Sequence, residues 1–302
     1  MHVRAQKYGR SPLQAPASGP SFPEELQPEN RLSCQGVRLH YRERGQGRAI
    51  VLLHGFGASS FTWRRFLREL SEDHRVIAPD LKGFGLSDKP PGARYSPDHQ
   101  ADLLLDLIRL LGLKDVVLAG HSFGGTVALL AALKLQDRAA SLLSGLILLD
   151  AAAYVQDPPA FLRILRTPVI NRLTLSLLPS TCIARNLLKQ SMYRPGKLSA
   201  EIIRGYSAPL RLPGAHRAVL EAAGQLVPPE AEAWLARYGS IPVPARLVWG
   251  AQDTVIPLRF GHRLAQDIPA AELTVFDACG HMPHEERPAE TVAISRRFLR
   301  QI

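Results

Sequence analysis

The chain has 302 residues, of which 46% are hydrophobic and 21% charged; these proportions are ordinary for a soluble globular protein and exclude a disordered, collagen-like or disulfide-stapled one. The formal net charge is +10, and the longest apolar stretches, such as residues 142–149, fall far short of the ~20 residues that a membrane-spanning helix needs. Three cysteines, Cys34, Cys182 and Cys279, show no C-x-x-C spacing, which argues against a zinc site or disulfide framework and fits a reducing, cytoplasmic compartment.

In chain order, residues 1–30 are rich in Pro, Ser, Gln and Gly. They lack the apolar block of a secretory signal, so a flexible lead-in is expected. Residues 32–34 and 37–41 flank Gln35-Gly36 as a short β-hairpin. An apolar strand over 49–53 runs into His54-Gly55-Phe56-Gly57, and helical spacing follows near 61–70. A strand over 76–78 ends at Pro79-Asp80. Leu103, Leu104, Leu107, Ile108 and Leu111 then recur at helical spacing as far as Gly112. Strand 115–119, helix 126–135 and strand 146–149 continue the alternation, which implies a mainly parallel sheet with helices on both faces.

After Asp150 the alternation stops. Residues 151–241 read as several helices broken by prolines, and strand and helix resume over 245–249, 258–266, 273–276 and 289–300. The expected organisation is therefore a core of residues 31–150 and 242–302 with an inserted helical unit of residues 151–241. That unit holds 11 Lys and Arg against 5 Asp and Glu, more than half of the net charge. The excess is mostly Arg, so it reflects either an Arg-rich genome or a basic face meeting an anionic lipid surface or an acidic substrate. Nucleic acid is not an expected partner.

Gly120-His121-Ser122-Phe123-Gly124 stands between a strand and a helix, the context that G-x-S-x-G requires. Glycines on either side let the chain turn sharply enough to project the serine, although a Gly-rich helix start with an N-cap serine has the same letters. A serine hydroxyl needs a base, and the base an orienting acid. Asp253 and His281 each follow a later strand, giving the order Ser, Asp, His. Asp150 closes an earlier strand and is a second candidate for the acid, or an N-cap of the first inserted helix. His284 is a rival to His281 but lies three residues further on; His40, His74, His99, His216 and His262 read as packed or solvated. The backbone N–H groups of Phe56 and Phe123 are the candidate oxyanion donors. His54 reads as a loop brace, and His54, Gly55, Trp63 and His121 are placed around the expected pocket.

These motifs resemble the cap-bearing α/β-hydrolases, a group that includes carboxylesterases, carbon–carbon bond hydrolases, epoxide hydrolases and haloalkane dehalogenases. The resemblance spans residues 32–302 and rests on the first Gly-rich loop, the stretch Asp80 to Asp88, the Ser122 turn, Trp249-Gly250 with Asp253, and Gly280-His281 with Glu286 and Pro288. It implies an α/β-hydrolase fold: a mostly parallel eight-stranded sheet flanked by helices, with an inserted helical cap. Epoxide hydrolases and haloalkane dehalogenases attack with an aspartate where this chain has Ser122, which argues against both activities. Asp80 is expected to tie its own loop by hydrogen bonds.

Within the insertion, Phe161, Leu165, Val169, Leu173 and Leu177 recur with Leu162 at helical spacing, a stripe that a lid would turn toward an acyl pocket; Arg163, Arg166 and Arg172 interrupt it. Tyr154, Tyr193 and Tyr206 are candidate pocket donors, with Tyr206 placed at the site alongside Phe161 and Leu165. The function expected is serine-dependent hydrolysis of a small-molecule carboxylic ester by Ser122, His281 and Asp253, without metal or cofactor. The alternatives are hydrolysis of a carbon–carbon bond in a vinylogous diketone acid, and a ligand receptor or silent hydrolase that keeps the triad.

Overall fold

A computed structural model describes residues 30–167, 178–196 and 198–302. Val169, Leu173 and Leu177 of the expected stripe, Arg172, and residues 1–29 of the lead-in lie outside the described residues. Asn30, assigned to the lead-in from sequence, is the first residue of a strand.

Eight strands form one sheet: β1 (Asn30–Cys34), β2 (Val37–Arg44), β3 (Ala49–Leu53), β4 (Arg75–Pro79), β5 (Val116–His121), β6 (Leu143–Leu149), β7 (Ala245–Gly250) and β8 (Ala271–Phe276). Their spatial order is β1-β2-β4-β3-β5-β6-β7-β8. The β1–β2 and β2–β4 pairs are antiparallel and every other pair is parallel. All parallel strands therefore deliver their carboxyl ends to one edge, where such sheets carry their sites.

The central strands are continuously apolar because both faces are covered. On β3, Val51 and Leu53 join the core shared with helices α2 (Pro97–Leu110) and α3 (Phe123–Ala139), while Ile50 and Leu52 face α1 (Arg64–Leu70) and the C-terminal helix. Helix α2 starts six residues before its apolar stripe, since Ser96 caps it and Pro97 opens it, and a polar first turn carries no periodic signal. Ahead of α1, residues Ser60–Trp63 form a 3-10 turn in place of the single helix expected there.

Between β6 and β7 lie α4 (Ala160–Arg166), α5 (Ser180–Ser191), α6 (Ala200–Ser207), α7 (Ala215–Ala223) and α8 (Ala231–Leu235), with no strand among the described residues. The chain closes with α9 (Arg259–Asp267), the single turn α10 (Pro283–Glu286) and α11 (Pro288–Leu299). Among the described residues no helix is long and apolar enough to cross a membrane.

Asp80, at the end of β4, joins three segments. One carboxylate oxygen accepts the Ser60 amide at 2.6 Å; the other accepts the Leu86 amide at 2.7 Å and faces His40 Nδ1 at 2.8 Å. Burial works against the charge of Asp80, but the hydrogen bond and charge of His40, with the Leu86 amide, outweigh it and hold the carboxyl far below the usual range. Removing the carboxylate strands two buried amides, each costing about 1–3 kcal/mol. Asp80→Ala is therefore expected to destabilise the fold by about 3 kcal/mol or more, read as a lower urea midpoint; a shift under about 1 kcal/mol would show that water replaces the lost contacts.

Candidate active site

β5 runs on to His121, so Ser122 stands at the corner between β5 and α3. Its φ is +53°, a left-handed conformation that costs a non-glycine residue about 1–3 kcal/mol. The corner is pinned on both sides: the Ser122 amide donates to Leu149 O at 3.0 Å, and Ser122 O accepts from Gly125, Thr126 and Ala152. The flanking glycines are required by contact. A Cβ on Gly120 would lie 2.4 Å from Gly124 O, and one on Gly124 would lie 2.1 Å from Leu53 O.

His281 follows β8, and its Nδ1 lies 2.7 Å from Asp253 Oδ2. Asp253 Oδ1 accepts the amides of Val255 and Ile256 at 2.7 and 2.9 Å, so the carboxylate is held at both oxygens. Burial opposes its charge, but His281 and these contacts outweigh that and keep its carboxyl below the usual range. Asp150, fully buried, accepts the Gly250 amide at 2.9 Å through Oδ1. Burial first, and the Asp253 charge second, push its carboxyl well above the usual range. Of the two candidate acids, Asp253 is the one that touches His281, and Asp150 hydrogen-bonds to Asp253 and to the Gly250 amide.

Donor atoms of Asp150, Asp253 and His281 lie within 4.8 Å of one another. A cation there would have to displace the His281–Asp253 hydrogen bond and the amides on Asp253, so the donor set fits an oriented imidazole better than a metal.

Ser122 and His281 line the same cavity, about 340 Å³ in volume, between the strand ends and the helical insertion. Gly55, Phe56, His121, Phe161, Leu165 and Tyr206 also line it. His54 and Trp63, placed there from sequence, do not. His54 is fully buried behind the loop, with Nδ1 donating to Gly55 O and Nε2 accepting the Leu81 amide. Trp63 packs on Phe66 and His284, on the other face of the sheet. The Phe56 and Phe123 amides have no acceptor among the described residues, and the rings of Phe56, Phe84 and Phe123 meet edge to face, fixing the loop that carries the first amide. Of the other tyrosines, Tyr154 donates to Asp267 away from the cavity and Tyr193 is exposed. Arg163 is exposed, and no described Lys or Arg lines the cavity.

Several supports carry little sequence signal. Ser191 O, at the end of α5, accepts the His281 amide at 2.7 Å, tying the insertion to the histidine loop. Glu286 receives the amides of Gly280, Met282 and Tyr193. Behind the cavity Arg64 grips both oxygens of Glu285 at 2.6 and 2.8 Å; Glu285 accepts the Tyr206 hydroxyl, which meets Thr62 Oγ1, and Thr62 Oγ1 meets His284 Nε2. With Tyr206 donating to Glu285, Thr62 donates to Tyr206 and His284 Nε2–H donates to Thr62.

A sequence-family match over residues 50–294 is to the alpha/beta hydrolase family. The chain belongs to that family. The hydrolase is 28% identical to a 2-hydroxymuconate semialdehyde hydrolase of Pseudomonas sp. (strain CF600), over 95% of this chain and 97% of that one. Among solved structures it is similar to a meta-cleavage product hydrolase from Pseudomonas fluorescens IP01 (TM-score 0.76, 26% identity, covering 90% of this chain and 98% of that one). It is also similar to a thermophilic esterase from Thermogutta terrifontis (TM-score 0.74, 27% identity, with coverage of 90% and 98%).

Two outcomes follow from the corner and its surroundings. Ser122→Gly is expected to be more stable than Ser122→Ala by about 1 kcal/mol, because glycine accepts positive φ without a Cβ clash; equal thermal midpoints would show that the corner is unstrained. His54, His121 and His284 are buried, and burial lowers all three pKa values, that of His121 to about 3. An unfolded imidazole takes a proton below about pH 6.5 while these stay neutral, so stability is full above that pH and falls as pH drops through it. Each contributes up to about 1.4 kcal/mol per pH unit. The thermal midpoint should therefore fall steadily from pH 7 to 5.5, and a flat profile would contradict three neutral imidazoles.

Proposed function

We propose that this hydrolase cleaves uncharged, apolar carboxylic esters through an acyl-enzyme, with no metal or cofactor. The observation that carries the reading is the meeting of Ser122 and His281 on one cavity whose described lining has no Lys or Arg. Ser122 Oγ adds to the ester carbonyl as its proton passes to His281 Nε2, with the imidazole held by Asp253 and the oxyanion taken up by the Phe56 and Phe123 amides. Collapse expels the alcohol, which leaves with that proton. Water, deprotonated by the same imidazole, then attacks the acyl-enzyme, and the acid departs as the proton returns to Ser122.

A second reading, carbon–carbon bond hydrolysis of a vinylogous diketone acid, is supported by the two similar hydrolases named above. Such a substrate brings a carboxylate, which on this lining would meet amide and hydroxyl groups such as Asn186 and Gln190 but no cation, and a charge taken from water without an opposite charge is costly. The cavity lining therefore favours the ester.

A p-nitrophenyl ester series set beside a ring-cleavage dienoate tests the order. The ester reading expects kcat/KM for a medium-chain ester to exceed that for the dienoate; turnover of the dienoate with inert esters would reverse it. Ser122→Ala and His281→Ala are each expected to lose at least about a thousandfold, and the double variant little more, since such residues act as a unit. Asp253→Asn should also lose about a thousandfold by favouring the wrong tautomer. Asp150→Asn, which exchanges a neutral acid for a neutral amide, should lose under about tenfold; the opposite ranking would move the orienting role to Asp150.

A further inference from the structure

A second cavity, about 540 Å³, lies on the far side of the Arg64–Glu285 pair from the catalytic one. Five arginines line it: Arg42 and Arg44 from β2, and Arg64, Arg65 and Arg68 from α1. Alternation along a strand puts residues 42 and 44 on one face, and spacings of three and four along a helix bring 65 and 64 beside 68. Helix α6 closes the cavity with Ser199, Glu201 and Ile202, and Glu201 is its one carboxylate. Arg64 is held by Glu285 and Arg68 reaches Glu69 at 3.3 Å. Arg44 and Arg65 form no ion pair among the described residues and are exposed.

Like charges gathered around a concavity repel one another unless an anion joins them. Each guanidinium presents a planar fork of donors suited to carboxylate or phosphate. A single carboxylate satisfies one or two such forks, whereas a phosphoryl group brings a charge near −2 and three acceptor oxygens. Arg44 and Arg65, with no carboxylate partner among the described residues, and the exposed Arg68 offer more guanidinium donors than Glu201 uses, a set that suits the several oxygens of a phosphoryl group. No cluster of this kind is apparent from the charge count of the chain, because its arginines come from the core and not from the more basic insertion.

The cavity is also wired to the catalytic one. Arg64 lines it and grips Glu285, Glu285 holds the Tyr206 hydroxyl, and Tyr206 lines the catalytic cavity. Helix α6 carries both ends, with Glu201 and Ile202 at the arginines and Tyr206 over the reacting residues. Gly205 seats the helix directly on Phe61, which would meet any Cβ there at 2.1 Å. An anion that draws Arg64 or shifts α6 changes the hold on Tyr206.

We propose that the arginine cavity binds a phosphate-bearing ligand, either a free phosphate compound or a lipid headgroup, and that its occupation is transmitted through Arg64, Glu285 and Tyr206 to the substrate cavity. The binding test needs no turnover, so it stands or falls apart from the ester reading. Pyrophosphate is titrated into the full chain by calorimetry at constant ionic strength, and vesicles of phosphatidylglycerol or phosphatidylcholine are tested by co-sedimentation. Saturable pyrophosphate binding that weakens at least about tenfold in Arg44→Gln/Arg65→Gln/Arg68→Gln, and about threefold in the single variant Arg65→Gln, supports the site; a charged hydrogen bond of ordinary strength accounts for losses of that size. Sedimentation with phosphatidylglycerol but not phosphatidylcholine, reversed by pyrophosphate, identifies a headgroup as the source. Pyrophosphate binding without sedimentation identifies a free phosphate compound. No saturable binding of either probe, or binding unchanged in both variants, overturns the proposal. At saturating pyrophosphate the KM for the best substrate should shift at least about twofold in the wild type and not in the triple variant; an unchanged wild-type KM overturns the transmission.

Discussion

A carboxylate taken out of water must be repaid by donors or give up its charge, and this constraint organises the carboxyl edge of the sheet. Asp80, Asp150 and Asp253 are almost wholly buried there, and Glu285 and Glu286 stand just behind. Several loops around the site come to one of them. Asp80 takes the amides of Ser60 and Leu86, joining the turn before α1 to the loop after β4. Asp253 takes Val255, Ile256 and His281; Glu286 takes Gly280, Met282 and Tyr193. Irregular backbone at strand ends has amides without sheet partners, and the buried acids need donors. Each requirement answers the other, so the loops are held in place without further secondary structure.

The same constraint separates the two aspartates that the sequence offers as candidates for the orienting acid. Asp150 and Asp253 both follow parallel strands and lie close enough that two negative charges could not be held together. Asp253 has two amides and an imidazole, whereas Asp150 has one amide and a side-chain hydrogen bond to Asp253 itself. The charge is favoured on the better supplied side, with Asp150 hydrogen-bonded against it. In the proposed reaction this keeps negative charge beside the imidazole that must become positive.

What the sequence discloses about the fold and the site follows the range of the forces involved. The Ser122 corner is legible because its requirements are local: small residues at 120 and 124, a strand before and a helix after. Asp253 and His281 are legible because their strands are. The side that a ring faces is decided by packing from elements far away in the chain, which is why Trp63 and His54 read as pocket residues and turn out to lie behind it. Tyr206 reads as a pocket donor; its ring does line the cavity, but its hydroxyl is spent on Glu285, 79 residues away. The hydrogen bond from His281 to Ser191 joins two backbones and has no side-chain signature at all. Helix α2 shows the same limit in miniature, since its opening turn is polar and capped rather than periodic.

Charge and cavity lining part company in this chain. The helical insertion is the most basic segment by count, yet the described Lys and Arg in it are exposed or half-exposed, and none reaches the cavity below. An exposed cation is solvated at no cost, whereas one turned inward would lose its water and meet Leu165, Leu188 and Val219 with nothing to pair with. The insertion therefore sorts its charged side chains by solvation, with aliphatic and uncharged polar groups such as Leu188 and Asn186 on the cavity and guanidinium groups outward. A high positive charge on such an element bears on what approaches its outer surface. The cavity beneath it is a separate surface, lined by no described Lys or Arg.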